Sequence, residues 1–187
     1  MPSPLRLFVA WPLPEAVSRE LGRVVAPLRA RLPTASWPRA ESLHLTFAFL
    51  GDTQPDRLPE IASALDRCGG FAPPEIRLEG IGVFPDERRP RVAWIGIEPQ
   101  GPGVEIAAVV RRELGAAGVA FDAKPFRPHL TIARIKAPWR ASDVAALRQA
   151  FQGWTSPATL DRIVLYSSAL SPRGAVHAER HSVALRP

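Results

Sequence analysis

The sequence predicts an α+β fold: duplicated β-α-β-α-β lobes related by a pseudo-twofold, two antiparallel-type sheets facing a central cleft, and helices outside. Three observations predict it. Val9-Ala10-Trp11 recurs as Val92-Ala93-Trp94, and His44-Leu45-Thr46-Phe47 recurs as His129-Leu130-Thr131-Ile132, at offsets of 83 and 85 positions. Between these motifs the apolar spacing switches between helical and strand periods in the same order in both halves. An Arg- and Pro-rich segment, 86–91, separates the halves as an exposed link. The result is one bilobal domain over 1–187, with lobe 1 at about 1–86 and lobe 2 at about 91–187. The terminal strands are left free to cross over.

The elements follow in order. A strand carrying Val9-Ala10-Trp11 opens the chain. Val17, Leu21, Val24, Val25, Leu28 and Leu32 then form one helical stripe, begun by Pro14 and bent at Pro27. The apolar run around His44 has the length and β-branched content of a strand. Leu58, Ile61 and Leu65 mark a short helix behind Asp52-Thr53, and a strand at 75–84 closes the first half. The second half repeats the scheme. Its strand at Val92 is followed by a helix on Ile106, Val109, Val110 and Leu114, and then by the His129 strand. A helix on Val144, Leu147 and Phe151 follows Ser142, a strand spans 161–170, and 176–185 adds an edge strand.

Composition narrows the function classes. With 46% hydrophobic residues in 187 the chain can bury a core, and no run reaches the roughly 20 apolar residues that cross a bilayer. The proline-broken opening does not read as a signal peptide. The single cysteine, Cys68, rules out an internal disulfide and a cysteine zinc cluster, and fits a reducing cytoplasm. Of 24 cationic residues 22 are arginine, and the net charge is +6. That balance permits a phosphate-bearing partner without demanding one, because genomic base composition also biases arginine.

The recurrent motif carries the chemistry. On a strand, residues i and i+2 share a face, so His44 projects with Thr46 and His129 with Thr131. A twofold cleft would gather two imidazoles and two hydroxyls around one small volume. Opening a cyclic phosphate needs a proton taken from water on one side of phosphorus and a proton given to the departing oxygen on the other. Two histidines with ordinary pKa near 6.5 can divide those tasks at neutral pH, and the threonines can donate to the non-bridging oxygens. No metal is required, and neither motif has a second ligand at metal spacing. A lone histidine on an apolar strand is usually structural. Two at repeat-equivalent positions, each followed by threonine, are not explained that way.

Paired H-x-T-x motifs on a duplicated α+β chain resemble the 2H phosphoesterase superfamily, closest to the RNA 2′,3′-cyclic phosphodiesterases, also called 2′-5′ RNA ligase-like proteins. Trp37 with Ser42-Leu43-His44-Leu45-Thr46-Phe47-Ala48-Phe49-Leu50-Gly51 looks like that family's first block. Lys124-Pro125-Phe126-Arg127-Pro128-His129-Leu130-Thr131-Ile132-Ala133-Arg134 looks like its second, and Arg6-Leu7-Phe8-Val9-Ala10 also fits. The resemblance implies hydrolysis of an RNA-terminal 2′,3′-cyclic phosphate to a 2′-phosphate with no cofactor, and a slow reverse 2′-5′ ligation in some members. It also implies that His44 protonates the leaving 3′ oxygen while His129 activates water. The near-symmetry of the repeat leaves those two roles open. The family usually carries an aromatic, often tyrosine, where this chain has His177. Here His177 and His181 are read as surface or supporting residues.

Substrate-binding candidates are Arg134, which follows the second motif but by strict alternation faces away from His129 unless a bulge redirects it, and Arg127, two residues before His129. Phe8, Phe84 and Trp94 are the aromatics available for base stacking, beside Phe126. The expected partners are RNA 3′ ends bearing a 2′,3′-cyclic phosphate, or cyclic nucleotides, with no membrane and no metal. A monomer is expected because the repeat supplies the twofold surface internally. Two other readings stand beside the main one: a phosphodiesterase of 2′-5′ linked or small cyclic nucleotides, and a non-catalytic module that binds RNA ends. The second explains a basic groove but not a matched pair of proton donor and acceptor.

Overall fold

The computed structural model describes residues 3–171 and 174–187. Met1 and Pro2, at the head of the opening segment, lie outside the described residues. Among those described, the order is β1 (Leu5–Pro12), α1 (Glu15–Arg31), β2 (Ala35–Ser36), β3 (His44–Thr53), α2 (Leu58–Asp66) and β4 (Glu75–Phe84), followed by β5 (Val92–Glu98), α3 (Gln100–Ala116) and β6 (His129–Ile135). The chain ends with α4 (Ala141–Ala150), β7 (Thr155–Thr159), β8 (Arg162–Ser171) and β9 (Gly174–Ala184). The α+β class and the duplicated β-α-β-α-β order are as expected. No helix of the described residues is long and apolar enough to cross a membrane.

Local chemistry sets most boundaries. Pro14 sits at the N-cap of α1, Glu15 lies in the first turn and Arg29 and Arg31 in the last, each charge suited to its end of the helix dipole. Helix α3 begins at Gln100, well before the first residue of its apolar stripe, because its first turn is Gly101-Pro102-Gly103 and shows no apolar period. At the start of α4 the carboxylate of Asp143 accepts from the Arg140 backbone N–H, 2.8 Å away, a closure that Ser142 was expected to supply.

Every strand pair in the two sheets is antiparallel. One sheet has the order β3-β1-β8-β9 and the other β2-β6-β5-β4-β7. Each half of the sequence therefore sends its closing strand to the other half's sheet: β4 pairs with β5, and β8 pairs with β1. The helices interlock in the same way, with α1 against α4 and α3 against α2 and β3. One continuous core results, taking Leu7, Val9 and Trp11 from β1, Ala93, Ile95 and Ile97 from β5, and Leu21, Leu65, Val110 and Leu147 from the helices. Polar ties cross between the halves. The Trp11 indole donates to Asp161, and Glu20 accepts from Trp154 and Ser156.

The core takes only one face of each sheet. Along β1 the core residues are Leu7, Val9 and Trp11, which leaves Arg6, Phe8 and Ala10 on the opposite face with His44 and Thr46 of β3. Along β5 the core takes Ala93, Ile95 and Ile97, which leaves Val92, Trp94 and Gly96 facing the same way as His129 and Thr131.

Candidate active site

His44 opens β3 and His129 opens β6. Each imidazole Nδ1 lies 2.7 Å from the carbonyl oxygen two residues back, that of Ser42 for His44 and that of Arg127 for His129. A carbonyl can only accept, so Nδ1 carries the proton and the neutral ring presents an unprotonated Nε2. The same tether, made twice, fixes tautomer and orientation in both halves.

The two histidine strands are drawn together. β3 lies against β6, and the Leu45 side chain and Pro128, neighbours of the two histidines, both flank Gly103 of α3. Arg111 of α3 strengthens the join. Its Nε donates to Phe47 O at 3.0 Å and its terminal nitrogen to Lys124 O at 2.9 Å, while the guanidinium lies over the rings of Phe121 and Phe126. The Asp122 N–H adds a bond to Phe49 O. The loop that delivers His129 is thus hydrogen-bonded to the strand that carries His44.

A matched irregularity follows each threonine. Ala10 pairs with Thr46 and Val9 with Ala48, so Phe47 is an extra residue; Trp94 pairs with Thr131 and Ala93 with Ala133, so Ile132 is extra. These are β-bulges, which reset alternation. Phe47 with Ala48, and Ile132 with Ala133, enter the core as successive residues. Arg134 therefore emerges, exposed, on the face of His129 and Thr131, and its charge is felt at His44. Strict alternation would have turned it away. At the equivalent position of the first half stands Phe49, with the Arg6 guanidinium 4.8 Å over its ring.

Arg127 is placed differently. The strand begins at His129, after Pro128, so alternation does not extend back to Arg127. Its side chain is exposed, and its contribution here is the main-chain carbonyl that holds His129.

The three aromatic candidates flank the histidines. Phe8 stacks on His44 with centroids 4.7 Å apart and planes at 30°. Phe84 meets His129 edge-on at 5.2 Å and stacks on Trp94 at 5.1 Å. The Trp94 indole lies across β4 at Gly82, where an added Cβ would stand 2.2 Å from Cζ2. Only glycine fits beneath it. Farther along this face an open hollow of about 500 Å³ is lined by Arg77, Glu98, Pro157 and Thr159.

Burial lowers the pKa of His44 to about 4. His177 and Arg134 push in the same direction, and the hydrogen bond to Ser42 opposes them. In the free protein His44 is therefore neutral at pH 7. Among the described residues no three of His, Cys, Asp and Glu gather into a metal-ligand set.

The sequence pattern of the LigT-like phosphoesterases matches this chain over residues 11–94 and 96–177. The chain belongs to the LigT-like phosphoesterase family. A Thermotoga maritima protein named RNA 2′,3′-cyclic phosphodiesterase is 31% identical over 174 residues, which cover 92% of this chain and 91% of that protein. A Thermus thermophilus protein of the same name is 34% identical, over 97% of this chain and 91% of its own length. Among solved structures, TT0787 of Thermus thermophilus superposes with a TM-score of 0.76 at 29% identity, over 97% of this chain and 98% of that one. E. coli LigT does so at 0.74 and 21% identity over the whole of both chains, a likeness of fold. The resemblance to 2H phosphoesterases is borne out, and the protein is an enzyme of the phosphodiesterase class.

Two residues beside this candidate site were not among the site residues read from the sequence. Tyr166 of β8 lies 5.4 Å from Phe8, and His177 of β9 lies 5.3 Å from His44. His177, read as a surface or supporting residue, is partly buried and packs against His44 and Phe8. The available signal was positional: the family's aromatic falls where this chain has His177, and Tyr166 is its only tyrosine. His181 is a supporting residue, its Nε2 2.7 Å from Asp66 at the end of α2.

Proposed function

We propose that the protein hydrolyses the 2′,3′-cyclic phosphate of an RNA 3′ end to a 2′-phosphate by metal-independent two-histidine acid–base catalysis. The observation that carries this reading is the duplicated tether, which leaves two Nε2 atoms free beside two threonines whose hydroxyls have no hydrogen-bond partner among the described residues. The names of the relatives support the substrate.

In this reaction the oxygen of water attacks phosphorus opposite the 3′ oxygen. The water proton passes to the basic imidazole, the P–O3′ bond breaks, and the acidic imidazole gives its proton to O3′. Thr46, Thr131 and Arg134 donate to the non-bridging oxygens, where negative charge grows. A 5′-hydroxyl attacking in place of water turns the same chemistry into a 2′-5′ ligation. In one assignment His129 takes the water proton and His44 protonates the leaving oxygen, the proton reaching His44 only once the phosphodiester anion is bound. The low proton affinity of His44 favours a second assignment, with His44 as base and His129 as acid. RNA ends or cyclic nucleotides are the partners, and the working unit is a monomer in the cytoplasm.

The test is incubation with a 2′,3′-cyclic nucleotide in EDTA, with chromatographic identification of the product isomer, beside His44→Ala and His129→Ala. Release of the 2′-phosphate, lost in both variants, is the expected result. Turnover that survives either substitution sinks the two-histidine mechanism. No turnover on any cyclic-ended substrate leaves the RNA-binding reading.

A further inference from the structure

The corner around His44 contains a third imidazole that the proposed reaction does not use. The pairing of His177 with Ser168 places it on the face shared by Tyr166, Phe8 and His44. Its ring meets His44 at 5.3 Å with planes at 90°, and Phe8 at 5.0 Å and 79°. Tyr166 stands 6.3 Å away. Its Nδ1 is buried and has no hydrogen-bond partner among the described residues. A phenyl ring would fill this space without leaving a polar atom dry, so packing does not account for an imidazole here. What histidine adds is the capacity to take a proton.

We propose that His177 is a positioning residue that, as the pH falls, takes the first proton reaching this corner and so opposes a charge on His44 until an anionic phosphodiester binds. The inference rests on the catalytic reading of His44. Two rings in edge contact within an apolar corner cannot both be charged without strong mutual repulsion. Desolvation lowers the proton affinity of both, and acts harder on His44. His177 is therefore protonated before His44. The other groups facing the pair act consistently. Arg134, from β6, also disfavours a charged His44. Tyr166, from β8, has its pKa raised by burial and stays neutral at pH 7. Glu179, on β9, has its charge felt at Tyr166. Arg6, on β1, is held over Phe49. His129 enters from β6 on the other sheet. A bound phosphodiester supplies the negative charge that lets a proton move to His44, so protonation is coupled to substrate arrival.

The experiment is an NMR titration of the imidazole C–H signals in the free wild-type protein and in His177→Phe and His177→Gln. In parallel, the pH profile of kcat/KM is measured on a 2′,3′-cyclic nucleotide. His177→Phe keeps a ring against Phe8 and removes the charge, and His177→Gln removes both. The expected result is a rise of about half a pH unit or more in the His44 titration in both variants. The limb of the pH profile governed by His44 moves in the same direction. A His44 titration unmoved in both overturns the inference, and so does a rise in His177→Gln alone, which would trace to packing. The titration reads His44 without turnover. Loss of the catalytic reading, seen as undiminished turnover in His44→Ala, is thereby distinguished from loss of this one.

Discussion

The two histidine corners begin from the same unit and end in different surroundings. Both rings open a strand, both donate Nδ1–H to the carbonyl two residues back, and both are followed by threonine and a one-residue bulge. Around His44 the neighbours are the face of Phe8 and the edge of His177, with Tyr166 behind. Around His129 the neighbour is the edge of Phe84, itself stacked on Trp94. Duplication supplies two imidazoles held in the same way. What sets them apart is neighbours that do not recur: Phe8 aligns with Arg91 in the repeat, and the strand bearing His177 has no counterpart that closes the first half. A symmetric motif is made chemically asymmetric by what the fold packs against it.

The largest effect that can break or sharpen this comparison is a leaving-group test. A cyclic substrate with sulfur in place of the 3′ bridging oxygen departs without protonation. The variant lacking the acid should then recover most of its loss, about 10²–10⁴-fold, while the variant lacking the base should not. Rescue of His44→Ala assigns the acid to the Phe8 corner, rescue of His129→Ala assigns it to the Phe84 corner, and equal rescue would mean the asymmetry has no catalytic consequence.

The next effect is on stability. His44 has its pKa lowered from 6.5 to about 4 in the folded protein. Between those values the unfolded chain holds a proton that the folded one lacks, so unfolding is favoured as pH falls. The stabilisation is complete above pH 6.5 and declines through that window by at most about 3 kcal/mol. Urea midpoints at pH 7 and pH 4.5 should fall further apart for wild type than for His44→Ala. Equal separations would show that the Phe8 corner does not resist the charge.

On the other sheet, Gly82→Ala should displace the Trp94 indole and cost about 1–3 kcal/mol, as overpacking does. It should raise KM with Nδ1 of His129 still tethered, read by urea denaturation and steady-state kinetics. An unchanged KM would remove Trp94 from substrate contact. The smallest contrast is between the equivalent bulge positions. Arg134→Gln should raise KM about fivefold, more at low salt than at high, since a single phosphate contact is worth about 1 kcal/mol. Arg6→Gln, which releases Phe49, should change KM less than about twofold, the size of an ordinary surface substitution. Equal effects would imply that both lobes grip the anion alike.

Much of the fold was legible because apolar period reports which face of an element is buried. The stripes on Val17–Leu28 and Ile61–Leu65, and the strand limits at Glu75 and Phe84, appear as read. Two strands were not legible. β2 is two residues long, and β7 contains Pro157, tolerable because β7 lies at the sheet edge. In the site, His44, Thr46, His129 and Thr131 were readable because the repeat singles them out. Arg134 required the bulge at Ile132, and a bulge is set by pairing with β5, which local sequence does not encode.

By itself the sequence determined the element types, the duplicated unit and the four residues of the H-x-T pairs, since these follow from side-chain period and recurrence along one chain. Only the tertiary structure decided that β4 and β8 exchange sheets, that Arg134 emerges on the face of His129 and Thr131 and that His177 stands against His44. Each of those depends on which strands pair and in what register. That choice is made by packing among residues far apart in the chain, as between Phe8 and Tyr166, and no local pattern carries it.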